Sequence, residues 1–282
     1  MTQAPELPTP TWFVGCGNMG RAILDGWRGA GISLAPIVVV DPAKPAIDGV
    51  KRAATPAEAG PAPKLVILGV KPQMIDEVAG QLKTWLTSKT VVVSLLVGVE
   101  AASLRQRLPK AGPIVRALPN LPVAVRRGVV ALFSDEADEA VRQQLANLFA
   151  PLGFAPWMAD EAKLAAVGSV AGAGPAYVAR FIDALIKAAE QRGLSREIAS
   201  TIALETVLGT AWMAAATNES MDAIANRVAS PKGTTAAGLA VLDKEQVLDQ
   251  LIALAIDAAA RRGAELAEEA RPASLAEPVR LH

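Results

Sequence analysis

The chain has 282 residues, is 51% hydrophobic with mean hydropathy +0.30, and balances 28 basic against 28 acidic residues. That is enough for one large domain or two ordinary ones with a sizeable core, and the zero net charge gives no reason to expect nucleic acid or an anionic membrane surface as main partner. One cysteine excludes an intramolecular disulfide framework or a cysteine-based zinc site, and the one histidine, His282 in a polar tail, removes most Ser/His and Cys/His hydrolase chemistry.

Met1 to Pro10 is Pro-rich and lacks the basic start and apolar centre of a signal peptide. No uninterrupted apolar run reaches membrane-spanning length. The expectation is a soluble protein of a reducing compartment, the cytoplasm. The first element is the apolar run Trp12-Phe13-Val14, which leads into Gly15-Cys16-Gly17-Asn18-Met19-Gly20, with a helical pattern from Arg21. This is strand, tight turn and helix. Gly15 permits the turn, Gly17 lets a pyrophosphate approach the backbone, and Gly20 lets the helix pack on its strand. The helix N-terminus offers free amides and a positive dipole end to phosphates. A plain strand-to-helix turn is the alternative.

Gly29-Ala30-Gly31 stops the helix, and Pro36–Asp41 is a second buried strand ending in an acid. Asp41 follows Gly20 at about the 20-residue spacing of an acid that meets ribose hydroxyls, the alternative being an acid that caps a helix. Leu65–Val70 is a third strand. It ends in Lys71-Pro72, where a doubly wound sheet places ligand contacts, or where an exposed loop lysine would sit. Thr90–Leu96 and Pro113–Arg116 are further strands, with amphipathic stretches at Met74–Trp85 and Glu100–Leu108. Arg116-Ala117-Leu118-Pro119-Asn120-Leu121-Pro122 then forms a stiff loop in which the Asn120 amide can hold a ligand or close a turn. Val129–Phe133 and Phe154–Met158 flank the helix Asp138–Phe149 as edge strands.

From Asp160 the pattern is helical throughout: Tyr177–Gln191, Arg196–Ala216, Met221–Val228 and Gln246–Ala270. Several of these helices are apolar on more than one face, which implies a core or an oligomer interface. Gly172-Ala173-Gly174-Pro175 opens one helix with small residues, as a kink or a close approach requires. Ser230-Pro231-Lys232-Gly233-Thr234-Thr235 precedes the helical run Ala236–Leu242. Its hydroxyls and free amides suit a carboxylate, or form a simple cap. The fold class is therefore α/β: a mostly parallel, doubly wound Rossmann domain over residues 1–158, an all-helical domain over 159–270, and a tail over 271–282. No metal cluster is expected.

Taken together, the glycine turn, Val70-Lys71-Pro72, Arg116–Pro122, Gly172-Ala173-Gly174-Pro175-Ala176-Tyr177-Val178 and Ser230–Thr235 with Ala237-Gly238-Leu239 and Leu242-Asp243 resemble pyrroline-5-carboxylate reductase. The resemblance runs from about residue 12 to residue 268. It implies reduction of 1-pyrroline-5-carboxylate to L-proline by NADPH or NADH, the last step of proline synthesis. The cofactor would lie on Gly15, Cys16, Gly17, Asn18, Met19, Gly20, Asp41, Val70, Lys71 and Pro72, with Asn120 near the nicotinamide. Ser230, Lys232, Gly233, Thr234 and Gly174 would hold the substrate, and Thr235 would reach the ring nitrogen. The resemblance also implies an intertwined homodimer through the helical domain, and in many members a decamer.

Ala171 and Ala173 stand where the family often has Ser, and Lys232 where it often has Gly. Asp41 favours NADH over the 2′-phosphate of NADPH, with Lys44 near enough to compensate, so NADH is expected to serve at least as well. A β-hydroxyacid dehydrogenase would need a lysine base on the first helix of the second domain. Val178 stands there instead, and the next lysine is Lys187. A cofactor-binding regulator without catalysis is the other alternative, kept open by Ala171 and Ala173.

Overall fold

The computed structural model describes residues 4–43 and 46–271. Expectations that fall on Lys44, on 272–282 and on His282 lie outside these residues.

Eight strands form one sheet in the order β3-β2-β1-β4-β5-β6-β7-β8. They are β1 (Thr11–Val14), β2 (Ile37–Val40), β3 (Lys51–Ala53), β4 (Leu65–Leu68), β5 (Val91–Ser94), β6 (Ile114–Pro119), β7 (Gly128–Phe133) and β8 (Gly153–Phe154). The first six strands pair in parallel. β7 runs antiparallel to β6, and β8 parallel to β7. All four residues of β1, β2 and β4 are buried, as strands covered on both faces must be.

Side-chain alternation divides the core in two. On one face Phe13 and Val39 pack with Ile23, Trp27 and Phe149. On the other, Trp12 and Val38 pack with Leu82 and Leu104. The crossover helices α1 (Asn18–Gly29), α3 (Ile75–Leu82), α4 (Ala101–Arg107) and α5 (Glu139–Phe149) supply these layers, with the single turn α2 (Pro56–Ala59) after β3. The Trp27 indole donates to Leu148 O at 2.9 Å and so fixes α1 on the last helix of the sheet.

The sequence pattern misses β3. It is a polar edge strand, Lys51-Arg52-Ala53, whose first two residues are exposed. α1 also starts three residues earlier than the apolar period suggests, inside the glycine motif.

The chain divides into two compact units. One comprises residues up to 173 together with those from 259 on; the other is 174–258. The first includes α6 (Glu161–Val167) and the π-turn Gly168–Gly172. Arg116, buried in β6, donates from Nη1 to Glu161 Oε1 at 2.8 Å, and Glu161 also accepts from the Ala101 amide at 2.9 Å. One carboxylate thus ties α6 to the sheet and to the start of α4. Arg271, the last described residue, joins the same region by donating to both carboxylate oxygens of Glu100 at 3.2 and 3.1 Å.

The second unit contains α7 (Gly174–Gln191), α8 (Arg196–Thr217), α9 (Met221–Val228), α10 (Thr234–Leu242) and the first half of α11 (Val247–Glu269). α7 and α8 pack as a hairpin. Ser195 and Ser220 cap α8 and α9 through the amides of Ile198 and Ala223. Burial is sparse: Ala199, Ala203 and Ile224 are buried, while Phe181, Leu204, Leu208, Trp212, Leu251 and Leu254 are exposed. Although Glu205 interrupts its apolar run, α8 is long and apolar enough by length and composition to cross a membrane.

A charged knot closes the opposite, amino-terminal edge of the sheet. Arg105 donates to the carbonyls of Leu108, Ala111 and Gly112 and forms a two-pronged pair with Glu136. Glu136 also accepts from the Ile114 amide at 2.9 Å. The Arg105 hydrogen bond holds the Glu136 carboxyl below its ordinary value of 4.5. A depressed carboxyl contributes stability above its unfolded pKa and loses it as pH falls through the folded value. Glu136→Gln should therefore cost about 1–2 kcal/mol at neutral pH. Thermal melts in a pH series should show that difference closing once the wild-type carboxyl protonates; a pH-independent deficit would contradict the assignment.

Candidate functional site

In the strand order, the direction of sheet growth reverses between β1 and β4. Ligands of doubly wound sheets bind outside the carboxyl ends of the strands at such a point. Gly15, after β1, has φ +76°, and a side chain there would strike the Val70 side chain and approach the Val70 backbone at 3.0 Å. The loops after β1 and β4 are therefore in contact, and Gly69 N–H donates to Val14 O at 2.8 Å. Gly20 is buried against Phe13 and Cys16, so α1 lies close on β1.

Between these contacts the start of α1 is open. Gly17 is its N-cap, no side chain caps the helix, and its first turn carries no acid. A Cβ on Gly17 would meet no atom within 4 Å. Uncapped amides facing free space at a helix N-terminus suit a pyrophosphate, so the residues present fit a dinucleotide. Asn18 is exposed on the first turn, while Met19 packs against the core.

Asp41 lies directly after β2, and its carboxylate belongs to the same turn. Oδ2 accepts from the Cys16 amide at 3.0 Å, and Oδ1 from the Ala43 amide at 2.9 Å. Cys16 itself is buried, and burial pushes its thiol up to about 11. It stays protonated and supplies no nucleophile. Lys71 is exposed and extended before Pro72, the conformation a residue preceding proline adopts.

The Asn120 side chain is nearly buried and already bonded. Its Oδ1 accepts from the Val129 amide at 2.8 Å, and its Nδ2 donates to Ala171 O at 3.0 Å. It braces the loop after β6 against the π-turn and keeps one amide hydrogen uncommitted by these bonds. Sequence reasoning passed over Arg21. The signal available was a cation placed directly after the third glycine.

In the helical unit, α10 starts at Thr234, with Gly233 as N-cap and no side-chain cap. The capping alternative for Thr234 and Thr235 is thereby removed: both are helical residues, and Thr235 is half-buried. Gly233 N–H donates to Ser230 O at 2.9 Å and closes the loop tightly on Ser230. Lys232 takes φ +60°, the left-handed conformation that favours glycine. Gly174 opens α7 with open space around it.

Fold and site together define a Rossmann-type NAD(P) oxidoreductase followed by a helical unit. Residues 161–266 match the model for pyrroline-5-carboxylate reductase dimerisation. Residues 12–98 match that for coenzyme F420-dependent NADP oxidoreductase. The chain is 36% identical to the pyrroline-5-carboxylate reductase of Pseudomonas aeruginosa, over 91% of this chain and 96% of that one. It is 38% identical to that of Synechocystis over 75% of this chain and 78% of that one. Among solved structures, the Coxiella burnetii pyrroline-5-carboxylate reductase superposes with a TM-score of 0.82 at 33% identity, covering 92% of this chain and 99% of that one. The Plasmodium falciparum pyrroline carboxylate reductase with NADP bound gives 0.84 at 25% identity, covering 93% and 99%. The chain belongs to the pyrroline-5-carboxylate reductase family.

Gly15 and Gly17, two of the three glycines of the turn, separate folding from binding. Gly15→Ala meets both a left-handed φ and Val70, and should destabilise the protein by about 1–3 kcal/mol. Gly17→Ala, in open space at φ −77°, should melt within a degree or two of wild type. Differential scanning fluorimetry decides it; equal melting temperatures for both variants would contradict the geometry.

Proposed function

We propose that this protein reduces 1-pyrroline-5-carboxylate to L-proline with NADPH or NADH, the last step of proline synthesis. The observation that carries the reading is the open, uncapped start of α1 braced by Gly15–Val70 and Cys16–Asp41, in a chain that also presents the uncapped Ser230–Thr235 turn. The domain assignment follows: dinucleotide binding by residues 1–158, and dimerisation and substrate binding by 159–270. Gly15 to Gly20, Asp41, Val70, Lys71 and Pro72 are assigned to the cofactor. Asn120 holds the loop beside it in shape and has one N–H to offer.

Bound NAD(P)H supplies the hydride. A protonated cyclic imine is already electrophilic, so the protein needs neither a metal nor a nucleophile, only orientation. The amides at the start of α10, the loop hydroxyl of Ser230 and the first-turn hydroxyl of Thr234 suit the substrate carboxylate. Gly174 lets the chain approach without a side chain. Lys232 adds a cation to the carboxylate site that a glycine would not provide. The Thr235 hydroxyl serves the ring nitrogen as it becomes an amine. Asp41 makes NADH at least as good a donor as NADPH.

Steady-state oxidation of NADH and NADPH with pyrroline-5-carboxylate tests the reading, and 3-hydroxy acids test the dehydrogenase alternative. Thr235→Ala should lower kcat/KM about tenfold to a hundredfold, the worth of one charge-assisted hydrogen bond. The loss should reach kcat if the bond strengthens in the transition state, and Thr235→Ser should keep most activity. Wild-type kinetics in folded Thr235→Ala would remove the role.

The exposed apolar faces of α8, α10 and α11 are covered in this reading by a second copy of the chain, as a homodimer that can build to a decamer. The same cover accounts for the composition of α8 without a membrane and fits a cytoplasmic enzyme. Light scattering at low micromolar concentration should find a dimer or a larger assembly. A stable, active monomer would overturn this part.

A further inference from the structure

One cation beside the candidate cofactor site is used by none of the roles above. Arg21 is exposed on the first turn of α1, directly after Gly20. Its guanidinium reaches over the segment that follows β2, where Nη1 donates to Ala46 O at 3.4 Å. A second arginine serves the same segment in a different way. Arg28 is neutralised by Asp25 at 2.7 Å and also donates to Asp48 O at 2.9 Å. Arg21 has a long bond to a neutral carbonyl, and among the described residues no carboxylate pairs with it. Its charge is felt in the glycine turn, where burial raises the Cys16 thiol pKa and Arg21 opposes that rise.

Asp41 is the opposite kind of group. Both its oxygens already accept from backbone amides, at Cys16 and Ala43. That carboxylate is fixed in place and cannot turn away from a second anion. Arg21 sits on a long stem, loosely held, at the border of the same loop. A phosphate monoester there would replace one weak neutral hydrogen bond with a charge-assisted, two-pronged pair, the geometry that guanidinium matches best.

We propose that Arg21 is a specificity-determining residue that receives the 2′-phosphate of NADPH, while Asp41 serves the ribose hydroxyls of NADH. This rests on the cofactor reading above. It explains how one site accepts both cofactors: a fixed anion favours the free ribose, and a mobile cation offsets that anion when a phosphate is present.

Direct binding tests this without turnover. Energy transfer from the tryptophans, among them Trp12 buried in β1, to the dihydronicotinamide reports NADH and NADPH affinity. Calorimetry compares 2′,5′-ADP with 5′-AMP. Arg21→Ala should weaken NADPH about tenfold or more and leave NADH within about twofold. It should weaken 2′,5′-ADP by the same factor as NADPH, leave 5′-AMP unchanged, and flatten the salt dependence of NADPH binding. Arg21→Lys should fall between, and Asp41→Ser should move the ratio the other way. Retained NADH binding is the control for folding. Equal weakening of both cofactors, or unchanged NADPH binding in Arg21→Ala, overturns the inference alone. Wild-type protein that binds neither dinucleotide overturns the cofactor reading and this inference with it.

Discussion

The left-handed turn at Gly15 is the constraint on which the first unit depends. It turns the chain out of β1 and into α1 within three residues, with its backbone pressed against Val70. That approach sets the Cys16 amide where Asp41 can accept from it, and leaves the following amides without a cap. A different residue at this point would separate the loops after β1 and β4 and misplace the start of α1. The apolar layers beneath, Phe13 and Trp27 on one face and Trp12 and Leu82 on the other, hold both ends of the turn in register.

Much of this was legible in the sequence. The continuous apolar runs at residues 37–40, 65–68 and 91–93 read as strands covered on both sides, and the spacing of Asp41 behind the glycines placed it at the same edge. Other parts were illegible for physical reasons. β3 is short, polar and at the edge, so no burial marks it. The start of α1 is written in glycines, which carry no hydrophobic period. The pattern pointed to a polar carboxamide at Asn120 but could not show that its partners are Val129 and Ala171. Spacing left a Ser/Thr cap open at α10, and only the backbone shows Gly233 in that position.

The two units solve different problems. The first buries large side chains around a sheet and closes its lower edge with Arg105 and Glu136. The second is built of alanine-rich helices that, within one chain, bury three residues among those described and leave whole apolar faces uncovered. Its secondary structure is secured locally by Ser195 and Ser220, and its packing depends on what covers those faces. This is a division between a self-sufficient scaffold and a surface that association completes.

The chemical silence of Cys16 has a consequence of its own. It is the chain's only thiol, and it is enclosed and protonated at the centre of the glycine turn. Electrophiles and peroxide that act on accessible thiolates find none in the native protein. Oxidative stress thus leaves this chain's sulfhydryl chemistry untouched for as long as the turn stays closed. A cysteine introduced on an exposed face of α8 would be its single reactive handle, and a fluorophore attached there would report on that face alone.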